Sequence, residues 1–445
     1  MTAIITYHRS MIAVFLLCFI AVGAFAQTKE FTVDGLKVIL KNTPKEVISA
    51  RLFVEGGTAN YPKAKEGIES LAFNIAMTGG TTKLNKVDFN TQAEKIGTSF
   101  GSESTYDFGS MSMTCIKMFW DKSWELYTDA IMNPAFDPKE FKLTQEQMIT
   151  AAKEAISNPD AYLRQLAMKN AFAGTNYEKV PNGSPESLAK ITLDDVKQYY
   201  KNTIGKQRVF LVVVGNITEA DLTAKIKKSL SKLALGTPAT FEKRTLITTG
   251  GDFIEDRDIA TNYIRGVMSA PTWNEADGIP MRVAMSIMND RFFLELRTKR
   301  SLSYAPAAFY SSGVIKNPYN AIYITTTDPK QSMSVMVEII DSVKKYGFKE
   351  GELVNTKQGF LTDYFMGQES SSSQSQTLGM AEIAGDWTLA ETFTEKVNAV
   401  TLKDLNRVFD KYSKAIKWTY LGKQSAVNKA DFKQADNKPK ENRPY

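Results

Sequence analysis

The imidazole on which most peptide- and ester-cleaving sites depend is missing from this sequence beyond its first residues. Its single histidine, His8, stands in an N-terminal leader, and its two cysteines are Cys18 and Cys115. Downstream of the leader no Ser-His-Asp or Cys-His pair can be assembled, because the base in both is an imidazole. A zinc site built on histidines is excluded for the same reason. Carboxylates and carbonyls remain as metal ligands, a donor set suited to calcium or magnesium, but no loop has calcium-binding spacing. Cys115 lies in the alternating run Ser110-Met-Ser-Met-Thr-Cys-Ile-Lys117. A buried, inert thiol is expected there, since no histidine exists to lower its pKa. With Cys18 in the leader, no internal disulfide can form.

The leader has the features of an export signal. Arg9 is the only charge ahead of the apolar run Met11 to Gly23, and Ala24-Phe-Ala26 gives the small-x-small pattern of a cleavage site. The run is shorter than the roughly 20 apolar residues of a spanning helix. Leu17, before Cys18, is too large for a lipobox. The expected product is a soluble periplasmic chain cleaved near Ala26, with no later segment apolar enough to cross a bilayer. The formal charge of +6 is spread over 445 residues. No basic cluster interleaves with aromatics, which argues against nucleic acid as a partner.

Any site must be positioned by elements that occur twice. The strand-like Val47 to Val54 runs through a loop into a helix that opens at Gly67-Ile68, and Ala260 to Val267 runs through a loop into one that opens at Gly278-Ile279-Pro280. Ile191-Thr-Leu-Asp-Asp-Val196 leads to the strand Arg208 to Gly215, and Val400-Thr-Leu-Lys-Asp-Leu405 leads to Ile416 to Gly422. In both copies a threonine caps a helix with acids in its first turn. Phe119 to Met132 and Gln331 to Tyr346 have amphipathic helical spacing.

The chain therefore reads as an α+β protein of two homologous repeats, each a mostly antiparallel sheet with helices packed on one face. The expected boundaries are a leader over 1–26, repeats over 27–235 and 253–425, a linker over 236–252 and a polar tail over 426–445. Gly367 to Gln376, nearly devoid of apolar side chains, reads as an exposed loop, and Ala430 to Tyr445 as a loose tail.

Two segments resemble the pitrilysin/insulinase (inverzincin) metallopeptidase family. Phe53-Val-Glu-Gly-Gly-Thr-Ala59 followed by Lys65-Glu-Gly-Ile68 is similar to the family's opening. Arg291-Phe-Phe-Leu-Glu-Leu-Arg-Thr-Lys-Arg-Ser-Leu-Ser-Tyr304 is similar to its Arg-x-x-x-Gly-Leu-x-Tyr signature, with Ser301 where glycine is usual. In active members the Gly-started helix carries His-x-x-Glu-His. Two histidines one turn apart grip zinc, the Glu between them is the base, and a Glu from a later helix is the third ligand.

In this chain the resemblance places Ser70 and Asn74 at the histidines, Phe73 at the base and Ala151 at the third ligand, with Glu154 matching only if the register slips. None of the four can do its family counterpart's work, so no catalytic residue and no metal is expected. Glu69, on the helix's first turn, reads as a partner of the helix dipole. The resemblance gives Arg297 and Tyr304 the task of holding the substrate backbone, which suits a guanidinium and a phenol beside a developing oxyanion. The alternative is a helix-surface Arg and a half-buried Tyr at a strand start.

Some bacterial members divide labour between two chains. The resemblance implies that this one is half of a clamshell, holding peptide for a zinc-bearing partner. The alternative is a stand-alone peptide-binding or structural protein of the envelope.

Overall fold

The computed structural model describes residues 28–436, so the leader, with His8, Cys18 and the cleavage site, and residues 437–445 lie outside the described residues. The first sheet contains β1 (Thr28–Val33), β2 (Leu36–Asn42), β3 (Val47–Glu55), β4 (Ser99–Ser104), β5 (Phe108–Ile116) and β6 (Val209–Gly215). The second contains β7 (Gly251–Asp256), β8 (Asn262–Ser269), β9 (Ala307–Tyr310), β10 (Tyr319–Thr326) and β11 (Lys417–Gly422). The strand orders are β1-β2-β6-β3-β5-β4 and β7-β11-β8-β10-β9. Apart from the added β1, one order maps onto the other strand for strand. Each sheet also has its parallel pair at the same place, β2 with β6 and β7 with β11. Strand β7 starts at Gly251, inside the stretch read as linker.

The helices repeat in step. The first half has α1 (Ile68–Thr78), α2 (Lys86–Lys95), α3 (Trp120–Met132), α4 (Pro138–Ser157), α5 (Pro159–Ala171), α6 (Leu193–Thr203) and α7 (Glu219–Ser229). The second has α8 (Gly278–Phe292), α9 (Pro329–Tyr346), α10 (Glu350–Gly367), α11 (Ser371–Ala384), α12 (Phe393–Ala399) and α13 (Leu402–Tyr412). Thr192 and Thr401 cap α6 and α13, each accepting from the backbone N–H of an Asp three residues on. Leu52 and Leu211 point to a core under the first half's own helices. Ile264 and Ile322 do the same in the second half.

The opposite face of each sheet takes one helix from the other half. Helix α5 lies on the second sheet, with Leu163 and Leu166 packed on Leu421 and the Asn170 amide donating to Trp418 O at 2.9 Å. Helix α11 lies on the first sheet, where Leu378 and Ala381 meet Phe53, Phe108 and Phe210.

This corrects the reading of 367–376 as an exposed loop. Its serines open a helix whose small side chains let two backbones approach. Ser371 Oγ donates to Val47 O at 2.7 Å, and the Ser49 and Ser375 hydroxyls are 2.9 Å apart. Asp107 pins the halves again, accepting from Tyr177 Oη at 2.7 Å and from the backbone N–H of Ile315 at 2.6 Å.

The segment 430–436 is not a loose tail either. Phe432 and Ala435 are buried in the second core. The Gln434 amide closes two hydrogen bonds on the backbone of Ile416, at 2.8 and 3.0 Å, prolonging the pairing at the start of β11.

Candidate functional site

The start of α1 is fixed by sterics. Gly67 has φ +88°, and a Cβ there would meet Gly183 Cα at 2.8 Å, so only glycine fits. From this start α1 sends Ser70 and Asn74, one turn apart, into a cleft of about 530 Å3 that is also lined by Ala151 of α4. The Ser70 hydroxyl donates to Asn182 Oδ1 at 3.1 Å, and Asn74 Oδ1 accepts from the Thr78 hydroxyl at 3.2 Å. Glu154 lines no part of the cleft.

Phe73 stands apart from this group. Its ring is fully buried in the first core, edge-on to Tyr200 with centroids 6.2 Å apart. It fills space that a Cβ on Gly109 would need.

These residues do not fit zinc. The cleft wall has no carboxylate, imidazole or thiol, and its one charged side chain is Arg164. A dication would find a hydroxyl, an amide and a guanidinium in place of the ligands it prefers. Cys115, elsewhere in the first core, is buried, and burial pushes its thiol up to about 11.

Glu69 does more than face the helix dipole. It is completely buried, accepting from Tyr199 Oη at 2.6 Å, Ser104 Oγ at 2.8 Å and Asn60 Nδ2 at 3.4 Å. Burial pushes its carboxyl from 4.5 up to about 7, and the three donors only partly offset that. The folded state therefore binds the proton more tightly than the unfolded chain. Stability is full below about 4.5, falls as pH rises, and the loss is complete above about 7. Glu69→Gln should flatten this slope and raise stability at pH 8, relative to the parent, by up to about 3 kcal/mol. Urea melts of both proteins across pH 5–8 check it; equal slopes would contradict the assignment.

In the second repeat, α8 ends in a π-helical turn, Phe293–Thr298, a form often found at functional sites. Ser301 N–H donates to Arg297 O at 3.0 Å and Leu302 N–H to Leu296 O at 2.8 Å, folding Tyr304 back beside the helix. The Arg297 guanidinium carbon lies 4.2 Å from the Tyr304 ring centre and 4.6 Å from that of Phe293. Tyr304 is 79 % exposed and so packs into no core.

The charges around the pair are sorted. Lys299 and Arg300 both pair with Glu295, and Arg291 is clamped by Glu352. Arg297 forms no ion pair among the described residues and is half-buried. Ser301 has φ +52°, the left-handed region where glycine is at ease. Ser301→Gly should stabilise by about 0.5–1 kcal/mol after the glycine's unfolded-state entropy is counted. A higher urea midpoint at constant slope is the expected result; an unchanged midpoint would refute it.

Arg297 and Tyr304 line no part of the cleft at Ser70, Asn74 and Ala151. Within one chain, the Arg297–Tyr304 pair and the cleft at Ser70, Asn74 and Ala151 are separate.

This repeated fold, with a Gly-started helix in one half and an Arg/Tyr turn in the other, defines a class. Residues 37–180 match Insulinase (Peptidase family M16), and residues 190–360 match the Peptidase M16 inactive domain. The chain belongs to this family and is one of its members without the zinc ligands. It is 22% identical over 380 residues to an uncharacterized zinc protease, YmxG, of Bacillus subtilis (strain 168), covering 84% of this chain and 92% of that protein. It is likewise 22% identical over 368 residues to the non-peptidase homolog YmxG of Helicobacter pylori, covering 80% and 84%. The crystal structure of a protease from Helicobacter pylori superposes with a TM-score of 0.83 at 16% identity, covering 89% of this chain and 100% of that one.

Proposed function

We propose that this chain is the non-catalytic, peptide-holding subunit of a periplasmic zinc peptidase built from two chains. The observation that carries the reading is Arg297: an unpaired guanidinium stacked on an exposed phenol, in a chain whose own cleft lacks metal ligands. Donors of this kind serve a peptide carbonyl whose oxygen gains charge during hydrolysis. The metal and the base belong to the partner. This chain contributes orientation and charge stabilisation and leaves proton transfer to the other subunit.

Three further features support it. Exposed Phe293, Leu294 and Tyr304 surround Arg297 with apolar surface of the kind that partners and peptides cover. Strands β4 and β9 are sheet edges, and β9 begins three residues after Tyr304. An extended peptide can add to such an edge through main-chain hydrogen bonds, which gives affinity with little sequence selectivity. The export leader fits the periplasm, and among the described residues no helix is long and apolar enough to cross a membrane.

The test is isolation of the chain from its native envelope, followed by zinc and peptidase assays on what accompanies it. The expected companion carries an intact His-x-x-Glu-His helix and zinc. A chain that comes through alone, with no hydrolysis, would support a stand-alone envelope protein instead.

A further inference from the structure

A second guanidinium is left without a protein acceptor among the described residues, this one half-buried against aromatic rings. Arg282 projects from α8 into a box of rings, its guanidinium carbon 5.4 Å from the Trp273 ring centre, 5.3 Å from that of Phe393 and 6.0 Å from that of Tyr310. Ring faces attract a cation but accept none of its five N–H groups in the plane. Among the described residues no carboxylate or carbonyl pairs with it. Burial depresses its pKa, yet a guanidinium stays charged across the pH range of proteins.

Trp273 beside it has the same deficit: its indole N–H is buried with no acceptor. Native interiors pair nearly all groups like the Trp273 N–H, and the half-buried Arg282 charge beside it has no ion-paired counter-charge among the described residues. A cation without an ion pair and an indole without an acceptor therefore border the same cavities.

That space has room for a ligand. Two cavities of about 130 and about 300 Å3 both have Trp273, Arg282 and Thr377 in their walls. The larger is lined by Phe360, Tyr364 and Phe393, which offer an apolar bed, and by Asp363. The negative charge of Asp363 disfavours a dianion and leaves a monoanion as the better match.

We propose that this cavity binds an apolar monocarboxylate, with its carboxylate on Arg282 and the Trp273 N–H and its hydrocarbon or aryl body among Phe360, Tyr364 and Phe393. The site is separate from Arg297 and Tyr304 and does not depend on their role. Its wall includes Thr377 of α11, the helix that crosses onto the first sheet, so an occupant ties α8, α10 and α11 together. Occupancy should therefore also raise the unfolding temperature by linkage.

The experiment is calorimetric titration of the exported chain with phenylpropionate, and with phenylpropanol as a neutral ligand of the same shape. The acid should bind one to one and at least about tenfold more tightly than the alcohol, as expected for a bidentate charged hydrogen bond. Arg282→Met should weaken the acid by at least about tenfold and leave the alcohol unchanged. Equal affinities for acid and alcohol, no binding of the acid, or undiminished binding by Arg282→Met would overturn the proposal. Inorganic phosphate binding more tightly than the acid would overturn the assigned class. Should Arg282→Met fail to fold, Trp273→Phe removes only the indole donor and should still weaken the acid. The acid–alcohol comparison on the unaltered chain needs no variant.

Discussion

Replacing Arg297 by alanine should lower kcat/KM of the proposed two-chain peptidase by about 10²–10³-fold, the usual loss when a donor to a developing oxyanion is removed. The loss should fall mainly on kcat, because the guanidinium is worth most when the carbonyl oxygen carries charge. Tyr304→Phe keeps the ring on which Arg297 stacks, 4.2 Å away, and removes only the phenol. A smaller loss, about 10–100-fold, is expected for that single donor. Tyr304→Ala should cost more than Tyr304→Phe, since it also releases the arginine. Neither residue is buried in a core, so the unfolding temperature of the variants should stay near that of the parent. Steady-state cleavage of one peptide by the complex, with each variant in turn, measures all of this. Parent-like turnover in both Arg297→Ala and Tyr304→Phe would show that the pair does not touch the reaction.

The second large effect is expected at the seam between the repeats. A Cβ on Gly379 of α11 would lie 2.0 Å from Phe53 Cε2 and Cζ. Phe53 cannot yield easily. Its ring is stacked on Phe210 at 5.0 Å and tilted against Phe108 at 5.3 Å. Gly379→Ala should destabilise by about 1–3 kcal/mol through overpacking, and Gly379→Val by more. Phe53→Leu, itself destabilising, should recover part of the loss when combined with Gly379→Ala, because the two changes share one contact. Urea midpoints for the two single variants and the double variant close the cycle. Strict additivity would mean that α11 does not bear on β3 at this point.

Much of the fold was legible because its cues are local. Thr192 and Thr401 each precede an acid-rich first turn, and both prove to be N-caps. What escaped was long-range. The run Val209 to Val214 is apolar at every position, which signals a strand covered on both sides. Its residues do alternate between the first core and the seam. A reading with helices on one face only overlooked that signal. The opening of α11 was read as loop for the opposite reason: its serines carry no hydrophobic pattern, and their value lies in letting backbones approach. In the segment 430–436, Phe432 is the lone large apolar side chain among polar neighbours, so no periodicity marks it as packed.

The sites divide in the same way. Gly67, Arg297 and Tyr304 stand in short motifs and could be found by them. That Arg297 is unpaired could not be foreseen, because Glu295 lies two residues away and turns instead to Lys299 and Arg300. The environment of Glu69 depends on Tyr199, far along the chain. The ring box around Arg282 draws on residues 273, 310 and 393, which no motif connects.

Peptide hydrolysis and bound zinc, measured on this chain purified without its leader, on the zinc-bearing partner proposed for it and on an equimolar mixture, test the central claim most directly. The expected result is no zinc and no cleavage in this chain alone, with rapid cleavage only in the mixture. Stoichiometric zinc and sustained proteolysis in the lone chain would contradict it.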